Sequence, residues 1–330
     1  MNFVCQNCGG SVVFLPEKQQ LFCPHCDQYD SAAPKGDDSL TNCPNCGAVY
    51  EFPKFTSASQ CPYCDNYVIL DKMVTGDYAP DSIIPFQIGK QRAVSLIDES
   101  FGKRRFVPVS FLSEKTLESM QGRYVPFFLY DYKVDAEYHG VGTTIRRWRS
   151  GDYDYTETSY YDIARRMIAE YDNIPADASA EMPDDTMDLL EPYEYHELMN
   201  FDPKFMPGFY GEVYNDYGHV YEPRARAKAQ KSSQALLRES VTGYATINPP
   251  ITSARMELQR GKMDYALFPV WVYKYKWGGR EYPIYVNGQN GKVVGKTPIS
   301  VPKVLVYTFT LGGLIWGIIF MLCSLLGGLL

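Results

Sequence analysis

Eight cysteines carry the most evident chemistry in this chain. Cys5, Cys8, Cys23 and Cys26 follow a C-x2-C-x14-C-x2-C spacing, and Cys43, Cys46, Cys61 and Cys64 repeat it 38 residues later. Two residues between cysteines make a tight knuckle that aims both thiolates at one ion, and two knuckles complete a tetrahedral four-sulfur site. The neighbours repeat as well: CQNCGG answers to CPNCGA, CPHCDQY to CPYCDNY, and Phe14 falls opposite Phe52. The expected chemistry is two structural Zn2+ ions. A rubredoxin-like iron site uses similar knuckles, but the short gap and the duplication favour zinc. Four thiolates leave no open coordination position, so neither centre is assigned catalysis. His25, inside a knuckle, reads as an exposed bystander.

The elements that must position these thiols are small. Gly9 and Gly47 follow the second cysteine of a knuckle, where a positive φ is needed, and Asp27 and Asp65 take the same place in the other knuckles. Between knuckles, SVVFLPEKQQLF reads as strand, polar turn and return strand. Modules of this size, expected over 1–30 and 39–70, bury too little apolar area to fold alone, so metal binding supplies most of their stability. The first residues, MNFVCQNCGG, lack the basic leader and apolar run of a signal peptide, which predicts reduced thiols in a cytosol rather than a disulfide framework.

At the other end, 304–330 contains no charged residue. As a helix it would be about 40 Å long, more than the roughly 30 Å of a hydrocarbon core. A single transmembrane helix and a bilayer contact through 304–330 are expected. Lys292, Lys296 and Lys303 precede it, so the positive-inside tendency places the large N-terminal part in the cytoplasm, giving a tail-anchored, single-pass protein of the cell membrane. Gly313 and Gly317 form a GxxxG pair, a weak packing signal.

Between these ends lies an aromatic region, expected as one α+β domain over 80–300. The chain has 27 Tyr and 17 Phe, which suits sheet better than helical bundle. GKQRAVSLIDESF reads as a helix with Val94, Ile97 and Phe101 on one face, and IIPFQI before it as a strand. YVPFFLYDYKVDAEYHG and VGTTIRRWRS read as two neighbouring strands, and Ser150-Gly151-Asp152 turns the chain into a third. Val125–Lys133 and Phe268–Lys276 form a fainter repeat, with Pro126 against Pro269, Phe128 against Trp271 and Tyr130 against Tyr273, read as equivalent strands of one sheet, either from an old duplication or as a chance likeness of two aromatic strands. MPDDTMDLLEPY reads as a short helix. The basic start of the helix RARAKAQKSSQALLRES, just past the acidic stretch from Asp152 to Glu222, calls for an intramolecular charge partner. Asn287-Gly288 is expected to supply positive φ in a hairpin. The fold class is therefore α+β: two ribbons, a mainly antiparallel sheet with flanking helices, and one membrane helix.

Several chemistries are missing. GKVVGKTP has Asn290 where a phosphate-binding loop needs glycine, and Pro298 follows instead of a helix. His139, His196 and His219 stand isolated among tyrosines and carboxylates. A net charge of −7 argues against wholesale nucleic-acid binding, although Arg146–Arg149, RRWR, interleaves cations and an aromatic. On a strand Arg147 and Arg149 share one face and Arg146 and Trp148 the other.

With these residues in view, the chain resembles a bacterial family of membrane-anchored double zinc-ribbon proteins, often labelled transcription-factor-IIB-type zinc-ribbon proteins and sometimes mislabelled primosomal helicases. The resemblance covers the two CxxC pairs, IIPFQI, YVPFFLYD, DYDYTETSYY, MPDDTMDLLEPY, YALFPVWV, NGQNGKVVGKTP and the apolar tail. It implies a cytoplasm-facing membrane protein linked to phage-shock and flotillin-type partners in membrane stress, and it supplies no catalytic residues. The expectation is a non-enzymatic adaptor that uses its ribbons to recruit protein. The alternative is a membrane-tethered nucleic-acid-binding regulator, and an enzyme with an unrecognised site is the third reading.

Overall fold

The computed structural model describes residues 1–35, 42–113 and 119–327. The N-terminal ribbon comprises β1 (Asn2–Cys5), β2 (Val13–Leu15), β3 (Gln20–Phe22) and β4 (Ala32–Lys35), with β1 pairing β4 and β2 pairing β3 as a hairpin. The polar stretch SAAPKGDDSLTN, which reads from the sequence as a linker between the ribbons, begins as strand in β4, and 36–41 lies outside the described residues. The second ribbon supplies β5 (Thr56–Gln60) and β6 (Tyr67–Ile69), which pair with each other. Of IIPFQI only the first residue is strand, in β7 (Ser82–Ile83), and α1 (Lys90–Phe101) follows with Ala93, Ile97 and Phe101 buried.

The centre of the fold is β8 (Gln121–Ser150), paired along its length with β9 (Tyr153–Asp177). At roughly 3.3 Å per residue this strand is about 100 Å long. Two separate strands were expected here, and the structure corrects this: the chain runs straight through His139-Gly140-Val141-Gly142. The glycines serve close packing rather than a turn. A Cβ on Gly142 would stand 2.4 Å from the Tyr244 ring, and one on Gly140 2.2 Å from the Tyr138 hydroxyl.

After β9 come α2 (Asp184–Leu190), β10 (Met199–Asn200), β11 (Tyr210–Glu212), α3 (Glu222–Ser240) and β12 (Thr246–Asn248). The chain ends with β13 (Arg255–Trp277), β14 (Arg280–Asn287), β15 (Val293–Gly295) and α4 (Val301–Gly327). β13 lies antiparallel to β8, and the sheet runs β10-β7-β13-β8-β11-β5-β6, with β9, β12, β14 and β15 branching from that path. The repeated segments are neighbours in this sheet. Phe128, Tyr130 and Tyr132 lie in the same core as their counterparts Trp271, Tyr273 and Tyr275.

Burial along β8 follows its composition. VPFFLY is buried on both faces, between the larger core and a second one built from Phe127, Phe268, Met187, Leu190 and Tyr193. Beyond Asp131 every second residue is buried: Tyr132, Val134, Ala136, Tyr138. Past Thr143, among the described residues, β9 alone pairs with β8, so the two continue as a two-stranded arm. Bulges flank Asp131 on both sides, where its carboxylate accepts the Asn173 N–H at 2.9 Å and Asn173 takes φ of 57°.

The loop after β14 also differs from expectation. Positive φ falls on Gly291, while the Asn287 side chain accepts the N–H groups of Gln289 and Asn290. The sequence reading missed the turn between β13 and β14, where Gly278 and Gly279 both take positive φ. α4 is long and apolar enough to cross a bilayer, and beyond Val304 its described side chains are exposed.

Candidate metal centres and the surfaces around them

All eight predicted thiols gather, four and four. Cys5 Sγ lies 3.6 Å from Cys26 Sγ and Cys8 Sγ 3.5 Å from Cys23 Sγ; in the second group Cys43–Cys64 is 3.7 Å and Cys46–Cys61 3.9 Å. A tetrahedron with Zn–S bonds of about 2.3 Å has edges of about 3.8 Å, so both groups fit a four-thiolate zinc site. Every knuckle is built alike. Gly9, Asp27, Gly47 and Asp65 donate their N–H to the carbonyl of the first cysteine, at 2.8 to 3.0 Å, and all four take φ between 57° and 74°. The first cysteine of each knuckle is buried, whereas Cys8 and Cys46 are exposed. His25 is exposed and belongs to neither group.

The second centre is electrostatically uneven. Burial pushes the Cys43 thiol up to about 12. At Cys64 burial is outweighed by hydrogen bonds from the Asn45 side chain and the Asn66 backbone, which bring the thiol down to about 7. Zinc entering such a site displaces protons from the higher thiols, so its occupancy declines as pH falls.

Both ribbons are fastened to the body. Phe14 N–H donates to the Pro207 carbonyl at 2.8 Å, and the Phe14 ring meets Phe205 edge-on at 5.3 Å. Gln19 Nε2 donates to the Phe86 carbonyl at 2.6 Å. The second ribbon joins the main sheet, because β5 pairs antiparallel with β11. The ribbons touch each other where Ile69 N–H donates to the Met1 carbonyl at 2.8 Å.

The body's buried carboxylates, whose pKa values are raised, are occupied in ion pairs. Burial raises Asp177 to about 6 against the pull of Arg224, whose guanidinium lies 2.7 Å away and also reaches Asp184 and Asp188. Burial likewise raises Glu191, held at 2.6 Å by Lys228, and Glu212, held by Ser179 and Arg123. Arg224 and Lys228 are the basic start of α3, so its charge partner is the acidic stretch, as the sequence indicated.

RRWR sits near the tip of the β8–β9 arm. Trp148 stacks on Tyr155 at 5.5 Å, and the Arg146 guanidinium lies 5.5 Å from the Trp148 ring. The register sets Glu157 opposite Arg146 and Asp154 opposite Arg149. The three isolated histidines are exposed; His219 lines a hollow of about 480 Å3 with Asp77, Asp81, Tyr214 and Arg260, in which Asp81 already accepts the Tyr265 N–H at 2.8 Å.

Fold and site together define a double zinc-ribbon protein with an aromatic α+β body and one C-terminal helix fit to span a membrane. No family model matches the chain, and no solved structure does. It is similar to YdjG, an uncharacterised protein of Bacillus subtilis (strain 168), with 36% identity over 324 residues that cover 95% of this chain and 94% of that protein. The chain belongs to the same family as YdjG.

Proposed function

We propose that the chain is a non-enzymatic membrane adaptor whose ribbons recruit a protein partner at the cytoplasmic face of a bacterial cell membrane. The open face of the second ribbon carries this reading. In the first ribbon Val12 and Phe14 are 4% and 3% exposed, and Phe14 is covered by the chain's own loop through Phe205, Pro207 and Gly208. The equivalent positions 38 residues on, Tyr50 and Phe52, instead line a groove of about 730 Å3 with Pro53, Phe55, Leu70 and Met73. Val49 on its rim is 69% exposed. One copy of a repeated module thus uses this face to dock on the body, while in the other, among the described residues, Tyr50 and Phe52 are half-buried along an open groove. A zinc-held apolar surface loses little freedom when it binds, and exposed apolar patches mark interaction sites.

Other observations support the same role. Both metal groups are closed four-thiolate sets, and the body's shifted carboxylates are spent on ion pairs. Lys292, Lys296 and Lys303 before the membrane helix favour a cytoplasmic body. The resemblance drawn from the sequence makes phage-shock-like or flotillin-like proteins the partners of choice, in envelope stress.

The test is a photocrosslinking amino acid at Val49 of the full-length protein in cells, with nuclease treatment before mass spectrometry. A discrete protein adduct that survives nuclease and disappears with Phe55→Asp, zinc content remaining at two, is the expected result. Adducts made of nucleic acid would put the tethered regulator in its place. A crosslink pattern unaffected by Phe55→Asp would remove the groove from the account.

A further inference from the structure

The membrane-proximal end of the body concentrates positive charge on an otherwise acidic protein. Residues 103–107 and 292–310 contain Lys103, Arg104, Arg105, Lys292, Lys296 and Lys303, and no carboxylate. The two segments are strapped together. Ser300 N–H donates to the Phe106 carbonyl at 2.7 Å, and Lys303 Nζ to the Val107 carbonyl at 2.7 Å. The Phe106 ring meets Tyr307 edge-on at 5.4 Å, and Arg105 donates to the Tyr307 hydroxyl at 3.4 Å. Arg104 is held by Thr297 Oγ1 at 3.2 Å and lies over the Phe101 ring. Arg104, Arg105 and Lys303 are therefore fixed at the level where α4 would enter a bilayer, whereas Lys292 is turned to the Glu191 carbonyl.

Two hollows open at that level. One, of about 380 Å3, is lined by Arg105, Phe106, Lys303, Val306, Tyr307 and Thr310; the other, of about 340 Å3, by Arg104, Arg105, Val107, Thr297, Pro298 and Ile299. The first runs along the helix from Lys303 to Thr310, about 10 Å of axis, with its cations at the body end and an apolar wall toward the membrane. That order, cation first and hydrocarbon after, matches a phospholipid whose headgroup phosphate lies at the surface and whose chains point inward. Val109, Ile299 and Val301, 79%, 65% and 64% exposed, flank the site in sequence and space as apolar side chains for the interfacial layer.

We propose that this groove binds an anionic phospholipid, its phosphate held by Arg105 and Lys303 with Arg104 adjoining, and its glycerol and upper chains against Val306, Tyr307 and Thr310. A free phosphate would use the cations but not the apolar wall. The proposal rests on reading α4 as membrane-spanning. It gives the anchor a lipid preference that an apolar helix lacks, because each cation at an anionic surface favours binding about fivefold.

The test reconstitutes the full-length protein in nanodiscs of phosphatidylcholine with a minor fraction of phosphatidylglycerol, and counts retained lipids by native mass spectrometry. Phosphatidylglycerol should be enriched around the wild type, and Arg104→Gln with Arg105→Gln should lower that enrichment by more than tenfold. Arg104→Lys with Arg105→Lys, which keeps the charge, should retain most of it. Equal retention of both lipids by the wild type, or unchanged enrichment in the Gln variant with its two zinc ions intact, would overturn the proposal. Displacement of the lipid by inorganic phosphate would assign the site to a soluble anion instead. A chain released from cell membranes by carbonate washing would fail the membrane reading itself, before any lipid is counted.

Discussion

Each thiol of the second centre has its own partner, and removing one tests what the metal holds. Cys43→Ser takes a buried ligand from a site that metal binding stabilises by something on the order of 10 kcal/mol. The variant should carry one zinc per chain instead of two by elemental analysis, and the first ribbon should keep its own. Loss of both ions would mean that the ribbons fold as one unit through the Met1–Ile69 contact. A second residue, Asp177, sets a pH dependence. Its folded pKa of about 6 lies above the roughly 3.9 of an unfolded aspartate, so between those values the native state holds a proton that the unfolded state releases. Its contribution to stability is complete below about pH 4 and is lost as pH rises through 6. Between pH 4 and 7 the wild type should lose about 2 to 3 kcal/mol relative to Asp177→Asn in chemical denaturation. Parallel profiles for the two proteins would show that Arg224 holds the carboxylate ionised throughout.

Gly142 lies in the middle of β8, opposite Tyr161 and beneath Tyr244, so Gly142→Ala should destabilise by about 1 to 3 kcal/mol through overpacking, despite alanine's lower backbone freedom. Stabilisation in denaturant titrations would mean that Tyr244 swings aside without cost. The same glycines explain why one strand was read as two: without the tertiary neighbours, Gly140 and Gly142 are turn residues, and only the Tyr138 and Tyr244 side chains reveal them as contact points. Local signals were legible wherever geometry is set by adjacent residues. The knuckle spacing, the positive φ at Gly9, Gly47, Asp27 and Asp65, the amphipathic face of α1 and the basic helical run of α3 all depend on neighbours in sequence. The β5–β11 pairing, which draws the second ribbon into the main sheet, links residues more than 150 positions apart and leaves no local trace. The groove at Tyr50 and Phe52 lies between these cases. The repeat identified the two positions, but only comparison with the covered face of Phe14 shows that, among the described residues, the second copy is left more open.

At the scale of the whole molecule, the body and the membrane helix are nearly separate structures. Within the described residues, α4 is tied to the body by Lys303 on the Val107 carbonyl, Arg105 on the Tyr307 hydroxyl and the Phe106–Tyr307 ring contact. At about 1 kcal/mol for each such contact, these contribute only a few kcal/mol, while among the described residues the core clusters, both metal groups and helices α1 to α3 lie before Ser300. A chain ending at Ser300 should therefore stay in the supernatant after ultracentrifugation and retain two zinc ions. Its melting temperature should fall by less than about 10 °C. If it still pellets with membranes, attachment resides in the body, and the arm and the basic membrane-proximal end become the surfaces to mutate. If it aggregates and loses zinc, α4 packs on the body as a structural helix, and its uncovered apolar surface belongs to a protein contact and not to lipid.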